Sequence, residues 1–337
     1  MSEPLLTIAV PTFNRLACLK ETICPLLDSG ILSAKVELRI FDNASDDGTR
    51  DWLASLQSTQ GCAIVRQPIN LGLEGNIISA MLCSPGHFVW TLSDHMVLRI
   101  SAIRRLVDSL PLLADDGVDI IYAQISSYGP VLMSGNVVAR WQSLNPTQQS
   151  HYIFRTGNTS GMITSKRLRA MSARTVFRFS GFSYPHLGVY AHVSPDTAVL
   201  ESEVLSDFLV TPAASGKTAA YNSFRSRFIG YPDAIRELHR LNPAISANAA
   251  GLTLAIGALR QDATDLLISG APSRSFPMTT PLLCFPLRAT PLILCVMLMK
   301  LMPLAIRTTL CRWMRWTPSL ARGDSHTERS KALEIRE

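Results

Sequence analysis

Short β-branched apolar runs alternate with longer amphipathic stretches through the first 125 residues. The runs Leu5–Val10, Val36–Phe41, Cys62–Gln67, Phe88–Leu92 and Val118–Ala123 predict strands. Between them, Arg15–Asp28, Thr49–Gln57, Glu74–Cys83 and Ser101–Ala114 carry helical spacing. Turn residues punctuate the series at Asp46-Asp47-Gly48, Pro68, Pro85-Gly86 and Asp115-Asp116-Gly117. Strands alternating with helices predict an α/β fold: a mostly parallel sheet with helices on both faces.

Residues 126–235 lose this rhythm and mix Gly, Ser, Pro and aromatic residues, which predicts a substrate-facing half built on longer loops. Helical spacing returns from Pro232 to about Ile268, and the Pro/Ser segment Gly270–Pro281 reads as a linker. The chain therefore divides into an α/β half at 1–125, a second half at 126–235 and a helical, apolar and basic extension at 236–337.

Composition changes the picture chiefly at this extension. With 47% hydrophobic and 17% charged residues among 337, the chain is long enough for a full core and more apolar than ordinary soluble domains. Of the net charge of +6, most lies in residues 288–337, which hold nine Lys/Arg against four Asp/Glu. Within the apolar stretch Pro281–Ile306, the longest run free of charge is Ala289–Met299, short of the roughly 20 residues that span a bilayer. Followed by Arg307, Arg312, Trp313, Arg315 and Trp316, the segment 281–316 reads as an interfacial helix on the inner face of a membrane, with a buried helical pair as the alternative. Nucleic acid is not an expected partner, because no Lys/Arg stripe with interleaved aromatics runs through the folded part. The N-terminus, with Glu3 and no basic region, does not read as a signal peptide. Seven cysteines without a C-x-x-C pair indicate neither a zinc site nor a disulfide framework and fit reduced thiols in the cytoplasm.

Candidate chemistry gathers directly after the predicted strands. Pro11-Thr12-Phe13-Asn14-Arg15 follows the first, Asp42-Asn43-Ala44-Ser45-Asp46-Asp47-Gly48-Thr49 the second, and Ser93-Asp94-His95-Met96 the fourth. Asn70-Leu71-Gly72-Leu73-Glu74-Gly75-Asn76 follows the third across a short loop. In a parallel sheet these carboxyl ends share one edge, where open α/β sheets hold their ligands. A carboxylate such as Asp42 can accept an N–H of uracil, thymine or guanine, and Phe13 offers an aromatic face; capping of turns and helices is the alternative, preferred for Asp46 and Asp47. Ala214-Ser215-Gly216-Lys217-Thr218 ends like a phosphate-binding loop but has Thr211 where the first glycine belongs.

Through P-T-F-N-R, D-N-A-S-D-D-G-T, N-L-G-L-E-G-N and W-T-L-S-D, in that order, the chain resembles the family 2 glycosyltransferases of GT-A fold. The middle segment, with Ser160-Gly161-Met162 and Tyr184-Pro185-His186-Leu187, is similar to the subgroup that builds bacterial surface polysaccharides, including lipopolysaccharide O-antigen, by abequosyl and other deoxyhexosyl transfer. The resemblance implies an enzyme taking a sugar from a nucleotide-sugar donor to a glycan or lipid-linked glycan acceptor with inversion, and the cysteine usage and the apolar, basic extension place it in the cytoplasm, peripherally on the inner membrane. It implies a donor site at Pro11, Thr12, Phe13, Asp42, Asn70 and Asp94. The family's acidic signature, D-x-D, stands here as Asp94-His95-Met96. A thioether is a poor ligand for Mg²⁺ or Mn²⁺, which leaves His95 to bind Mn²⁺ or donate to a phosphate and Asp94 to hold a divalent ion through water. Positive charge for the diphosphate could instead come from Arg66, Arg155, Arg225 or Arg227, each of which is otherwise a solvated surface charge. By analogy the general base falls among His186, Asp196 and Glu201; His186 suits near-neutral proton transfer, with a core or capping histidine as the alternative. A sugar-nucleotide or glycan binder that has lost catalysis is the second functional reading.

Overall fold

A computed structural model of the chain describes residues 3–56, 61–126, 137–209 and 230–245, all within one compact unit, Met1–Gly251. The first half runs β1 (Leu6–Thr12), α1 (Leu16–Asp28), β2 (Val36–Asp42), α2 (Thr49–Ser55), β3 (Cys62–Arg66), α3 (Gly72–Leu82), β4 (Phe88–Thr91), β5 (Met96–Leu98), α4 (Ile100–Asp115) and β6 (Val118–Ile125). The second half continues with β7 (Ala139–Arg140), α5 (Pro146–Arg155), β8 (Met162–Ser165), α6 (Lys166–Arg178), β9 (Ala198–Phe208) and α7 (Tyr231–Leu241).

The described strands form one nine-stranded sheet in the order β3-β2-β1-β4-β8-β6-β9-β5, with β7 paired to β9. Strands β3, β2, β1 and β4 are mutually parallel, while β8 runs antiparallel to both β4 and β6. Strand β9 is parallel to β6 and antiparallel to β5. One sheet thus crosses the boundary at residue 125, because β8 inserts between β4 and β6.

Period-2 alternation assigns the two faces. Leu6, Ile8 and Val10 of β1 join Leu38, Ile40 and Trp90 in a core closed by Leu19 and Ile23 of α1 and Ile103 and Leu110 of α4. On the opposite face, Ala9, Phe41 and Val89 meet Ala80 of α3. Pro11 sits inside β1 at no cost to the ladder: pairing with β4 ends at Ala9↔Thr91, so its missing N–H falls where β4 has already turned away. Gly86, before β4, is required by close packing, since a Cβ there would lie 2.6 Å from the Thr7 amide nitrogen.

The second half is more regular than its composition predicts. Among its described residues it supplies α5, β8, α6 and β9. A reciprocal cap opens α5: Asn145 accepts from the Gln148 amide and Gln148 accepts from the Asn145 amide, with Pro146 in the first turn. Strand β9 is hidden from pattern reading because Glu201, Ser202 and Ser206 are buried within it. Among the described residues, no helix is long and apolar enough to cross a membrane. The linker 270–281, the segment 281–316 and the Gly216-Lys217 loop lie outside the described residues.

Candidate active site

Four loops meet at the carboxyl edge of β1, β2, β3 and β4, knitted by side chains that cap each other's backbones. Asn14 and Ala44 both take left-handed backbone, with φ of 51° and 63°. Asn14 donates its amide to Ser45 Oγ (2.9 Å) and accepts the Asp46 amide on Oδ1 (2.9 Å). Asp47 caps two helices at once, accepting the Leu16 amide (3.0 Å) and the Thr49 amide (3.2 Å), while Gly48 at φ 88° makes the turn into α2. Asn43 does the same for the third loop: its Nδ2 donates to Asn70 Oδ1 (2.8 Å) and its Oδ1 accepts the Leu71 amide (2.9 Å). Beneath them, buried Asn76 of α3 donates Nδ2 to the Phe41 carbonyl at 3.0 Å.

Asp94 stands where β1 and β4 part, the topological switch point of this sheet. It is 4% exposed, and both of its oxygens are engaged: Thr12 Oγ1 donates to Oδ2 (2.8 Å) and Arg15 Nη1 to Oδ1 (2.9 Å). His95 Nδ1 lies 3.3 Å from Asp94 Oδ1 and 3.4 Å from Arg15 Nη1. Burial alone would raise the Asp94 carboxyl, but the His95 hydrogen bond, the Arg15 charge and the Thr12 hydroxyl outweigh it and hold the group below the ordinary carboxylate value. From the second half, Ser160 docks on this loop, accepting the Ser93 amide on Oγ (2.9 Å) and the Trp90 indole N–H on its carbonyl (2.8 Å).

A family model described as "Glycosyl transferase family 2" matches residues 7–176, half of the chain. The chain belongs to glycosyl transferase family 2. Abequosyltransferase RfbV of Salmonella typhimurium is 26% identical over 113 residues, which cover 33% of this chain and 34% of that protein. The match thus spans about a third of the curated relative's length. Among solved structures, S. aureus TarS 1-349 in complex with UDP superposes with a TM-score of 0.53 at 14% identity, covering 85% of this chain and 82% of that one. The mannosyltransferase PcManGT from Pyrobaculum calidifontis, in complex with GDP-Man and Mn²⁺, gives a TM-score of 0.52 at 17% identity, covering 100% and 89%. The fold is the GT-A α/β fold that these structures share.

Against the family pattern, the structure brings Thr12, Asp94 and His95 together, with Phe13 next to Thr12 on the loop after β1 and 40% exposed. Asp42 is a different case: it is buried, its Oδ2 accepts from Arg66 Nη1 at 2.5 Å and its Oδ1 from the Ser45 amide at 3.0 Å. Arg66 is therefore no free phosphate ligand, and neither is Arg155, which pairs with Glu201 Oε1 at 3.1 Å. Arg225 and Arg227 lie outside the described residues. Asn70 holds Asn43 and the Gly72 amide, shaping the loop.

The proposed bases fare worse. His186 sits in the short helical turn Pro185–His192, is 1% exposed, and places Nε2 2.7 Å from the Thr156 carbonyl. Burial lowers it to about 4, so it is a neutral packing side chain with no face toward an acceptor hydroxyl. Asp196 precedes β9 at the sheet's amino edge, opposite the site, and accepts from Gln142. Glu201 is buried between Tyr152 and Arg155.

The expected metal set also changes. Met96 is fully buried in the core beside α1 and α4, and its amide donates to Thr22 Oγ1 at 3.0 Å. It does not face the crevice at all. Among the described residues no three His, Cys, Asp or Glu side chains converge as a metal set, and Asp94 already shares an oxygen with a guanidinium. These residues do not fit a directly held Mg²⁺ or Mn²⁺. Sequence reasoning named Asn14, Arg15, Asn43 and Ser160 within its motifs but gave none of them a role in the site.

Proposed function

We propose that this chain is a glycosyltransferase whose donor is a nucleoside diphosphate sugar and whose acceptor is a glycan or lipid-linked glycan at the inner face of a membrane. The observation that carries it is the meeting of Thr12, Arg15 and Asp94 at the switch point between β1 and β4, with Phe13 exposed next to Thr12 in sequence, at the edge where open α/β sheets bind nucleotides. TarS and PcManGT, of the same fold, hold UDP and GDP-Man, which supports the nucleotide class. Similarity to an abequosyltransferase supports a deoxyhexose or hexose as the transferred group.

In the transfer, an acceptor oxygen bonds to the anomeric carbon as the bond from that carbon to the phosphate oxygen breaks. The electron pair leaves with the nucleoside diphosphate, and the acceptor proton passes to a base. Attack from the face opposite the diphosphate inverts the centre. Buried, ionised Asp94 fixes the Arg15 guanidinium and the Thr12 hydroxyl at the donor edge, so that no reorganisation is needed when charge develops. Phe13 offers its exposed ring to the base. Residues 281–316, apolar then basic, hold the protein to the membrane that carries the acceptor.

Purified protein incubated with UDP-, dTDP-, GDP- and CDP-sugars and with lipid-linked acceptors should release nucleoside diphosphate from one donor. Asp94→Asn should suppress that release. Release equal in the two proteins, or none from any donor, counts against the proposal. Tight nucleotide binding without turnover would favour a binder instead.

A further inference from the structure

The fold family's metal and this chain's residues disagree, and the disagreement has a positive counterpart. A divalent ion bound at a GT-A donor site needs anionic oxygens from the protein beside those of the phosphates. Here the carboxylate at the switch point is taken: Asp94 Oδ1 accepts from Arg15 at 2.9 Å and Oδ2 from Thr12 at 2.8 Å. A doubly charged ion at Oδ1 would face the guanidinium across a hydrogen-bond distance, and like charges that close repel strongly in a partly buried site. The second oxygen donor of the family pattern is replaced by Met96, and that side chain points into the core.

Arg15, in contrast, has capacity to spare. Only Nη1 is engaged; among the described residues Nε and Nη2 have no partner, and the side chain is 23% exposed. Another arginine at this edge, Arg66, spends Nη1 on Asp42 and Nη2 on the Ser45 carbonyl. A guanidinium carries a permanent charge and a planar fork that matches two phosphate oxygens. Its position is fixed by Asp94 at one end and by the turn into α1 at the other, two residues from Phe13.

We propose that this donor site binds and stabilises the diphosphate without a divalent metal, Arg15 supplying the positive charge from its place against Asp94. Arg15 is then a diphosphate-binding residue, and Asp94 its positioning partner. The inference rests on the donor-site reading above and adds how the leaving group is held.

Titration calorimetry with UDP, GDP, dTDP and CDP, on the full chain, tests it. In EDTA, at least one diphosphate should bind, and added Mn²⁺ or Mg²⁺ should change its Kd by no more than about twofold. Arg15→Gln should weaken that diphosphate by about tenfold or more, the loss of a charge-assisted phosphate contact, and leave the matching nucleoside, measured by competition, unchanged. Arg15→Lys should recover part of the loss. Because Arg15→Gln leaves a buried carboxylate unpaired, the double variant Arg15→Gln with Asp94→Asn serves where the single variant is unstable, with the same expected weakening and no rescue by Mn²⁺. Binding that disappears in EDTA and returns with Mn²⁺, or that ignores Arg15→Gln, overturns the inference and leaves the donor site standing. Absence of binding by every nucleotide with and without metal overturns the donor site and the inference together.

Discussion

Met96→Asp restores, on paper, the acidic signature of the family, and the structure expects it to do harm. Met96 is fully buried at the start of β5, in the core that Leu19, Ile23 and Ile103 complete. A carboxyl placed there loses the apolar packing of a methionine, about 2–5 kcal/mol by large-to-small substitution in cores. It must also be buried ionised, or neutral with its pKa raised. Together these put the cost at about 4 kcal/mol or more, a large part of a typical domain's stability. Met96→Leu, which keeps volume and character, should cost less than about 1.5 kcal/mol. Urea unfolding followed by circular dichroism measures both. The new carboxyl has a folded pKa above its unfolded value, so its penalty is full above the folded pKa and fades as pH falls toward the unfolded value near 4. The gap between the two variants should therefore narrow from pH 7 to pH 5. If Met96→Asp is as stable as Met96→Leu, or gains stability from Mn²⁺, the side chain faces the crevice and the account of β5 is wrong.

Three further outcomes follow from the same geometry. The Arg155–Glu201 pair is buried, with Tyr152 donating to Glu201 at 2.7 Å, so Arg155→Met should cost about 3–5 kcal/mol by stranding a buried carboxylate, read by chemical denaturation. His186, lowered by burial to about 4 from about 6.5 unfolded, gives stability that is full above pH 6.5 and is lost as pH falls toward 4, about 3 kcal/mol in all; His186→Gln should flatten that slope in pH-dependent thermal unfolding, and an unchanged slope would show the imidazole is not buried. Phe13→Ala, at an exposed ring, should leave the unfolding midpoint unchanged while weakening nucleoside diphosphate binding about fivefold by calorimetry.

The sequence by itself determined the first half of the sheet, because there each local signal agrees with the tertiary role. The run Leu6–Val10 is apolar but for Thr7 since β1 is covered on both faces, and Asp47-Gly48-Thr49 turns into α2 with the glycine at positive φ that the turn requires. It also determined where the site lies, since parallel strands bring their carboxyl ends to one edge whatever their lateral order. Tertiary structure alone decided which side chains at that edge are free to act. Asp42 and Asp94 are both carboxylates at strand ends, yet one is closed off by Arg66 and the other presents Arg15, a difference set by partners 24 and 79 residues away. Only the fold could turn Met96 inward, because the residue after His95 enters β5 and pairs with β9, a strand contributed by the far half of the domain. The same reason hid β9 and the burial of His186: their environments are made of segments distant in sequence, and local periodicity carries no record of them.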